Sequence, residues 1–247
     1  MLNFSNVNFV YEPYPVGVTS EVLDSDFYRL LLESYPPLSI FKRFNESLGD
    51  KYSLSESNNR KEYFQYLHQN DDWRKFYSYV KSKKFVEFVL DFFLQQNIDL
   101  GINSFDYVKS IKNKRRGVIR RLLNRKTIRS RFEFSAMPAF GGCLKPHTDA
   151  PTKLITLVLA FNDNQWNHKK WGGGTSIDKP VDVQQTFNQL NKFQEFDFVE
   201  TVEEFPFRPN QCVMFVKTYN SWHSVKPMNG PQGQFRRTVT INIEEIL

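Results

Sequence analysis

The residues best suited to chemistry in this 247-residue chain lie in two short stretches. The first is Lys145-Pro146-His147-Thr148-Asp149-Ala150, and the second is Ser221-Trp222-His223-Ser224-Val225, followed by Arg236-Arg237. On a strand, His147 and Asp149 would project from one face, because residues two apart share a side of the pleat. A second strand could bring His223 to them. Two imidazoles and one carboxylate on one face of a metal suit non-haem Fe(II), with coordination positions left open. Only four histidines occur in the chain, so two of them in these places carry information.

The surrounding pattern supplies strands at the right places. From Arg131 onward the hydrophobic period changes from helical to alternating. Phe132 to Met137 alternates, and Lys153 to Phe161 is a near-continuous β-branched and apolar run, the mark of a central strand. Trp171 to Thr175 contains three consecutive glycines, read as a tight turn into the next strand. Asp182 to Asp197 is rich in Gln and Asn and reads as an inserted loop. Phe198–Val202, Gln211–Thr218, Trp222–Lys226 and Arg237–Ile243 complete seven or eight short strands. The expected fold is α+β and mainly β: a double-stranded β-helix (jelly roll) with a helical N-terminal part packed on its major sheet.

That N-terminal part reads mostly helical. Phe9–Tyr11 is a short strand at most, broken by Pro13 and Pro15. Asp24 or Ser25 can cap a helix through Leu32 that Pro36-Pro37 stops. Ser53 to Asn59 is polar and reads as a loop. Asp72 can cap a helix through Val80. Ser82 can cap another, whose Phe85, Val86, Phe88, Val89, Phe92 and Phe93 repeat with helical spacing. One catalytic domain is expected over 1–247, with 1–129 as helical support and basic segment and 130–247 as the jelly-roll core.

Bulk properties agree with such a domain. Apolar residues make up 40% of the chain, including 24 Phe, enough to fill a sizeable core. No apolar run is long enough for a membrane span, and the N-terminus has no signal-peptide pattern. Cys143 and Cys212 are the only cysteines, too few for a disulfide framework. A reducing, cytoplasmic location is the plain expectation, and it suits ferrous iron.

Over roughly residues 130 to 245 the sequence resembles the Fe(II)/2-oxoglutarate oxygenase superfamily, in particular its prolyl-hydroxylase-like branch. The resemblance rests on Gly141-Gly142 before Leu144 to Asp149, on Leu157 to Asn162 followed by Trp171 to Thr175, on Pro209-Asn210 before Val213 to Phe215, on Trp222 to Pro227, and on Arg236 to Thr240. It implies Fe(II) bound by His147, Asp149 and His223, with 2-oxoglutarate and O2 as cosubstrates. The implied activity is that of a dioxygenase, a hydroxylase releasing succinate and CO2. The distal carboxylate of 2-oxoglutarate then needs a buried cation, and Arg grips a carboxylate with a planar fork that keeps its charge.

Strand parity separates the two arginines. Arg236, Thr238, Thr240 and Asn242 share one face, while Arg237, Val239, Ile241 and Ile243 share the other. The polar face should line the barrel, which favours Arg236; a bulge would reverse the parity and keeps Arg237 as the alternative. Thr156 and Thr240 are further candidates for contact with 2-oxoglutarate. Ala160 stands where many relatives carry a tyrosine.

Charge is uneven. The net +6 includes 11 Lys or Arg and no acid between Lys109 and Arg131, and subtracting those 11 leaves the remainder at −5. Within that block Lys112, Lys114, Arg115, Arg116, Arg120 and Arg121 are expected to form a positive patch on a short amphipathic helix. Its bland reading is a solvated helix; its functional reading is recruitment of an anionic substrate or surface. Aromatics are sparse there, which disfavours nucleic acid. The competing function is a basic nucleic-acid- or membrane-surface-binding protein on a catalytically inactive jelly roll, against which the intact metal triad and arginine argue. The sequence does not choose among protein, amino-acid, sugar, lipid and nucleic-acid substrates, and the oligomeric state is open.

Overall fold

The computed structural model describes residues 1–44, 50–110 and 126–246. Its centre is a pair of antiparallel sheets. The larger contains β1 (Asn8–Val10), β2 (Val16–Thr19), β11 (Cys212–Val216), β8 (Lys153–Ala160), β13 (Phe235–Glu245), β6 (Lys126–Pro138), β4 (Lys51–Ser55) and β3 (Lys42–Phe44), in that order, with β5 (Phe105–Tyr107) added in parallel to β6. The smaller runs β10 (Val199–Phe205), β9 (Thr175–Pro180), β12 (His223–Val225), β7 (Leu144–His147). Mainly-β content in two antiparallel sheets is the arrangement expected of a jelly-roll core.

Strand alternation gives the larger sheet two chemically different faces. Val239, Ile241 and Ile243 of β13, Phe132 and Phe134 of β6 and Met214 of β11 enter the principal apolar cluster. Residues from α1 (Ser25–Glu33), α2 (Arg60–Gln69), α3 (Asp71–Val80) and α4 (Lys83–Gln95) fill the same cluster. Trp73 of α3 is fully buried, its ring 4.7 Å from Phe134 and 5.2 Å from Phe161. Two helix starts are fixed by side-chain caps: Asp24 accepts from Phe27 N–H, and Ser82 from Phe85 N–H.

The opposite face looks toward the smaller sheet. Tyr14, Val16, Val213 and Phe215 meet Ile177 and Phe205 there. A second group, including Met137, Ala160, Trp166, Phe207 and Met228, packs near the start of β13. The smaller sheet ends at β7, whereas the larger continues through β4 and β3. The inner faces of β6 and β4 consequently border a cavity.

Two sequence expectations need correction. Ser53 to Asn59 begins as strand, because β4 runs through Ser55 and places Leu54 in the core. Its inner residues Ser53 and Ser55 are polar but buried, so the alternation looked like a loop. The helix expected from an Asp72 cap starts at Asp71, and its N-cap Asn70 makes no side-chain capping bond. Helix α2 buries Tyr63, Tyr66 and Leu67 although its composition is polar. Among the described residues no helix is long and apolar enough to cross a membrane.

Candidate metal centre

His147 closes β7 and His223 opens β12, and the two are direct cross-strand partners. Their ring centroids are 4.3 Å apart. Asp149 comes to them differently from the expectation. It lies beyond β7, in the left-handed region at φ 72°, so a turn rather than strand parity brings its carboxylate back to the histidines. Asp149 Oδ1 is 3.6 Å from His147 Nε2, and Oδ2 is 3.9 Å from His223 Nε2. One ligand atom from each of the three residues lies within 4.8 Å of the others, and all three residues are buried. This set could hold a metal ion.

The hydrogen bonds prepare the imidazoles as ligands. His147 Nδ1 is 2.9 Å from the Lys145 carbonyl, and His223 Nδ1 is 2.9 Å from the Ser221 carbonyl. A carbonyl only accepts, so each Nδ1 carries a proton, which leaves Nε2 as the ring nitrogen on the Asp149 side. Burial, reinforced by His147, pushes the His223 pKa down to about 3 despite the nearby carboxylate, which keeps the ring neutral.

Asp149 is held from both sides. Lys153 Nζ donates to Oδ1 at 2.6 Å and the Thr156 hydroxyl to Oδ2 at 2.8 Å. Burial alone would raise its pKa; Lys153 and the two histidines more than reverse this and hold the carboxyl well below its usual range. Thr156 Oγ1 also lies 3.0 Å from Asn242 Oδ1. Its hydroxyl is thus engaged with the metal-site carboxylate rather than free for a cosubstrate. Lys153, four residues after Asp149, was a legible partner that the sequence reading passed over. Phe193 was not legible: it comes from the inserted loop and stacks on His147 at 4.9 Å and 17°.

All three triad residues line a cavity of about 300 Å³ between the sheets, together with Arg236, Thr238, Thr240 and Asn242 from one face of β13. Arg236 is buried. Its Nε donates to the Gly173 carbonyl at 2.6 Å and its guanidinium lies 4.5 Å from the Phe207 ring centroid. Gly173 permits this approach: its φ is +88°, and a Cβ there would meet Met228 and Trp166 at 3.0 Å. Among the described residues Arg236 has no ion pair, and burial lowers its pKa to about 9, still cationic at neutral pH. Arg237 projects to the other face, 5.7 Å from the Tyr35 ring centroid, away from the cavity. No bulge interrupts β13 between these positions, so parity holds. Lys112, Lys114, Arg115, Arg116, Arg120 and Arg121 lie outside the described residues.

Comparison with known proteins agrees with this donor set. The sequence profile of the 2OG-Fe(II) oxygenase superfamily matches residues 132–244. No curated protein matches the chain. Among solved structures, a prolyl 4-hydroxylase from Phytophthora capsici aligns over 93% of this chain and 58% of its own, at 13% identity and a TM-score of 0.53. The non-haem α-ketoglutarate-dependent epimerase SnoN of nogalamycin biosynthesis aligns over 93% and 76%, at 12% identity and a TM-score of 0.51. A Pseudomonas putida prolyl-4-hydroxylase aligns over 96% and 95%, at 14% identity and a TM-score of 0.49. At such identities the likeness concerns the fold, and the neighbours differ in the reactions their names give. The matched residues 132–244 contain all three members of the triad and Arg236.

Proposed function

We propose that this protein is an Fe(II)- and 2-oxoglutarate-dependent hydroxylase, with iron held by His147, Asp149 and His223 and the distal carboxylate of 2-oxoglutarate held by Arg236. The observation that carries the reading is a buried guanidinium without an ion pair among the described residues, on the wall of the cavity that also contains a His-Asp-His cluster. A buried cation is costly unless paired, and a planar fork suits a carboxylate. Thr238 and Thr240, on the same strand face, line the same cavity.

When bound, iron and 2-oxoglutarate would use O2 for oxidative decarboxylation, one oxygen atom going to succinate and the other into a substrate C–H bond, with CO2 released. The chain's own contribution is positional. The Lys145 and Ser221 carbonyls fix the histidine tautomers. Lys153 and Thr156 keep the Asp149 carboxylate ionised and oriented. Phe193 covers one face of His147 and limits water beside it. We take residues 1–247 as one catalytic domain acting in the reducing cytoplasm.

The test is succinate formation from 2-oxoglutarate by the purified chain with Fe(II) and O2. Fe(II)-dependent succinate above the level of a His147→Ala, His223→Ala variant is the expected result. No binding of either Fe(II) or 2-oxoglutarate by the wild type would overturn the reading. The competing role, surface binding on an inactive barrel, has no use for an ionised Asp149 between two buried imidazoles.

A further inference from the structure

The cavity continues past the metal cluster onto the inner face of β6 and β4, where the smaller sheet no longer covers the larger. Asn242 is the cross-strand partner of both Thr156, which holds Asp149, and Arg131 on β6. Arg131 is therefore two strands from Thr156, roughly 10 Å at ordinary strand spacing. Beside it stand Glu133 on β6 and Lys51 on β4, and all three line the cavity.

Glu133 is buried and its oxygens are taken. Oε1 lies 3.1 Å from Lys51 Nζ and accepts from Ser53 at 2.9 Å and Ser135 at 3.2 Å; Oε2 accepts from Arg131. Both of its oxygens are engaged by the chain's own donors. The two cations are in the opposite condition. Lys51 has three N–H groups and one ion-pair partner among the described residues, and Arg131, on the same cavity wall, meets Glu133 through Nη2. One carboxylate positions two cations and neutralises one of them.

The charge around the whole cavity points the same way. Its described lining carries four cations, Lys51, Arg131, Lys153 and Arg236, against the carboxylates Asp149 and Glu133, a surplus of two positive charges. A divalent metal and a 2-oxoglutarate dianion cancel each other, so the surplus survives loading. In a partly enclosed site such an excess favours a negatively charged occupant.

We propose that Lys51 and Arg131 form an anion subsite for the substrate, and that the substrate is a small molecule whose carboxylate or phosphate is held on the β6–β4 wall of the cavity that also contains the metal cluster. The inference rests on the hydroxylase reading, since it assigns the metal and Arg236 to other ligands. Glu133 is a positioning residue for the two cations.

The test uses the full chain loaded anaerobically with Fe(II) and saturating 2-oxoglutarate, whose binding is measured first. Glycerate, glycerol 1-phosphate and uncharged glycerol are then titrated by calorimetry. At least one of the two anions should bind saturably without displacing 2-oxoglutarate, and glycerol should not; which anion binds distinguishes carboxylate from phosphate. Lys51→Met should weaken that binding roughly tenfold or more, the size of a lost charge-assisted hydrogen bond, while Fe(II) and 2-oxoglutarate binding persist. Lys51→Gln provides the same comparison should the methionine variant fold poorly. Failure of Fe(II) or 2-oxoglutarate to bind would sink the hydroxylase reading. Intact loading with no anion binding, or anion binding equal in wild type and variant, would overturn the subsite alone.

Discussion

Replacing Arg236 by Met separates a residue kept for a ligand from one kept for the fold. In the protein without 2-oxoglutarate, Arg236 is a buried cation with one hydrogen bond to Gly173 and a ring contact with Phe207. Removing it strands the Gly173 carbonyl, which costs about 1–3 kcal/mol. It also removes the desolvation penalty of an unpaired ion, several kcal/mol in real proteins. Methionine keeps an apolar stem and a sulfur that can lie against Phe207. The two effects offset, so urea unfolding without ligand should give a stability equal to wild type or higher. Affinity for 2-oxoglutarate should move the other way. Deleting one partner of a buried charge pair costs about 2–5 kcal/mol, so the dissociation constant should rise by a factor of roughly 30 or more. Arg236→Lys keeps the charge without the fork and should fall between. Arg237→Met should leave 2-oxoglutarate affinity within about threefold, because Arg237 faces Tyr35 rather than the cavity. Calorimetric titration of anaerobic, Fe(II)-loaded protein reads the affinity, and urea melts read the fold. Unchanged affinity in Arg236→Met, or a loss of several kcal/mol in its unliganded stability, would refute the reasoning.

Other outcomes follow from the same geometry. His147→Ala combined with His223→Ala should reduce Fe(II) affinity by well over about a hundredfold, since even partners outside the coordination sphere cost 10–100-fold; equilibrium dialysis without oxygen measures it. Burial opposes ionisation of Glu133, but Lys51 and Arg131 outweigh it and hold its pKa at about 2, against an ordinary 4.5. The folded pKa is depressed, so this stabilisation is present above about pH 4.5 and is lost as pH falls toward 2. The difference corresponds to about 3 kcal/mol, and Glu133→Gln should flatten the acid limb of the stability curve measured by urea unfolding at each pH. Trp73→Ala should destabilise the chain by about 3–5 kcal/mol, because the ring is fully buried against Phe134 and Phe161.

What the sequence disclosed depended on whether local periodicity and tertiary role agreed. Arg236, Thr238, Thr240 and Asn242 alternate with apolar residues, and β13 is unbulged along them, so their shared face could be read from spacing alone. The caps Asp24 and Ser82 stand immediately before apolar helical repeats and were equally legible. Asp149 was assigned to the right cluster for an incomplete reason: strand parity suggested its place, whereas a left-handed backbone turn achieves it. The inner face of β4 escaped because Ser53 and Ser55 are polar yet buried, satisfied in part by Glu133 eighty residues later in the chain and by Asn58. The same misreading hid the anion subsite. Lys51 lies just before a stretch that reads as a loop, and Arg131 closes the basic block. Only the fold brings them together on the cavity wall, where both side chains reach Glu133. The metal cluster is thus encoded in short motifs whose residue types are chemically unusual. Substrate recognition is encoded in common residue types, whose meaning depends on which strand pairs with which.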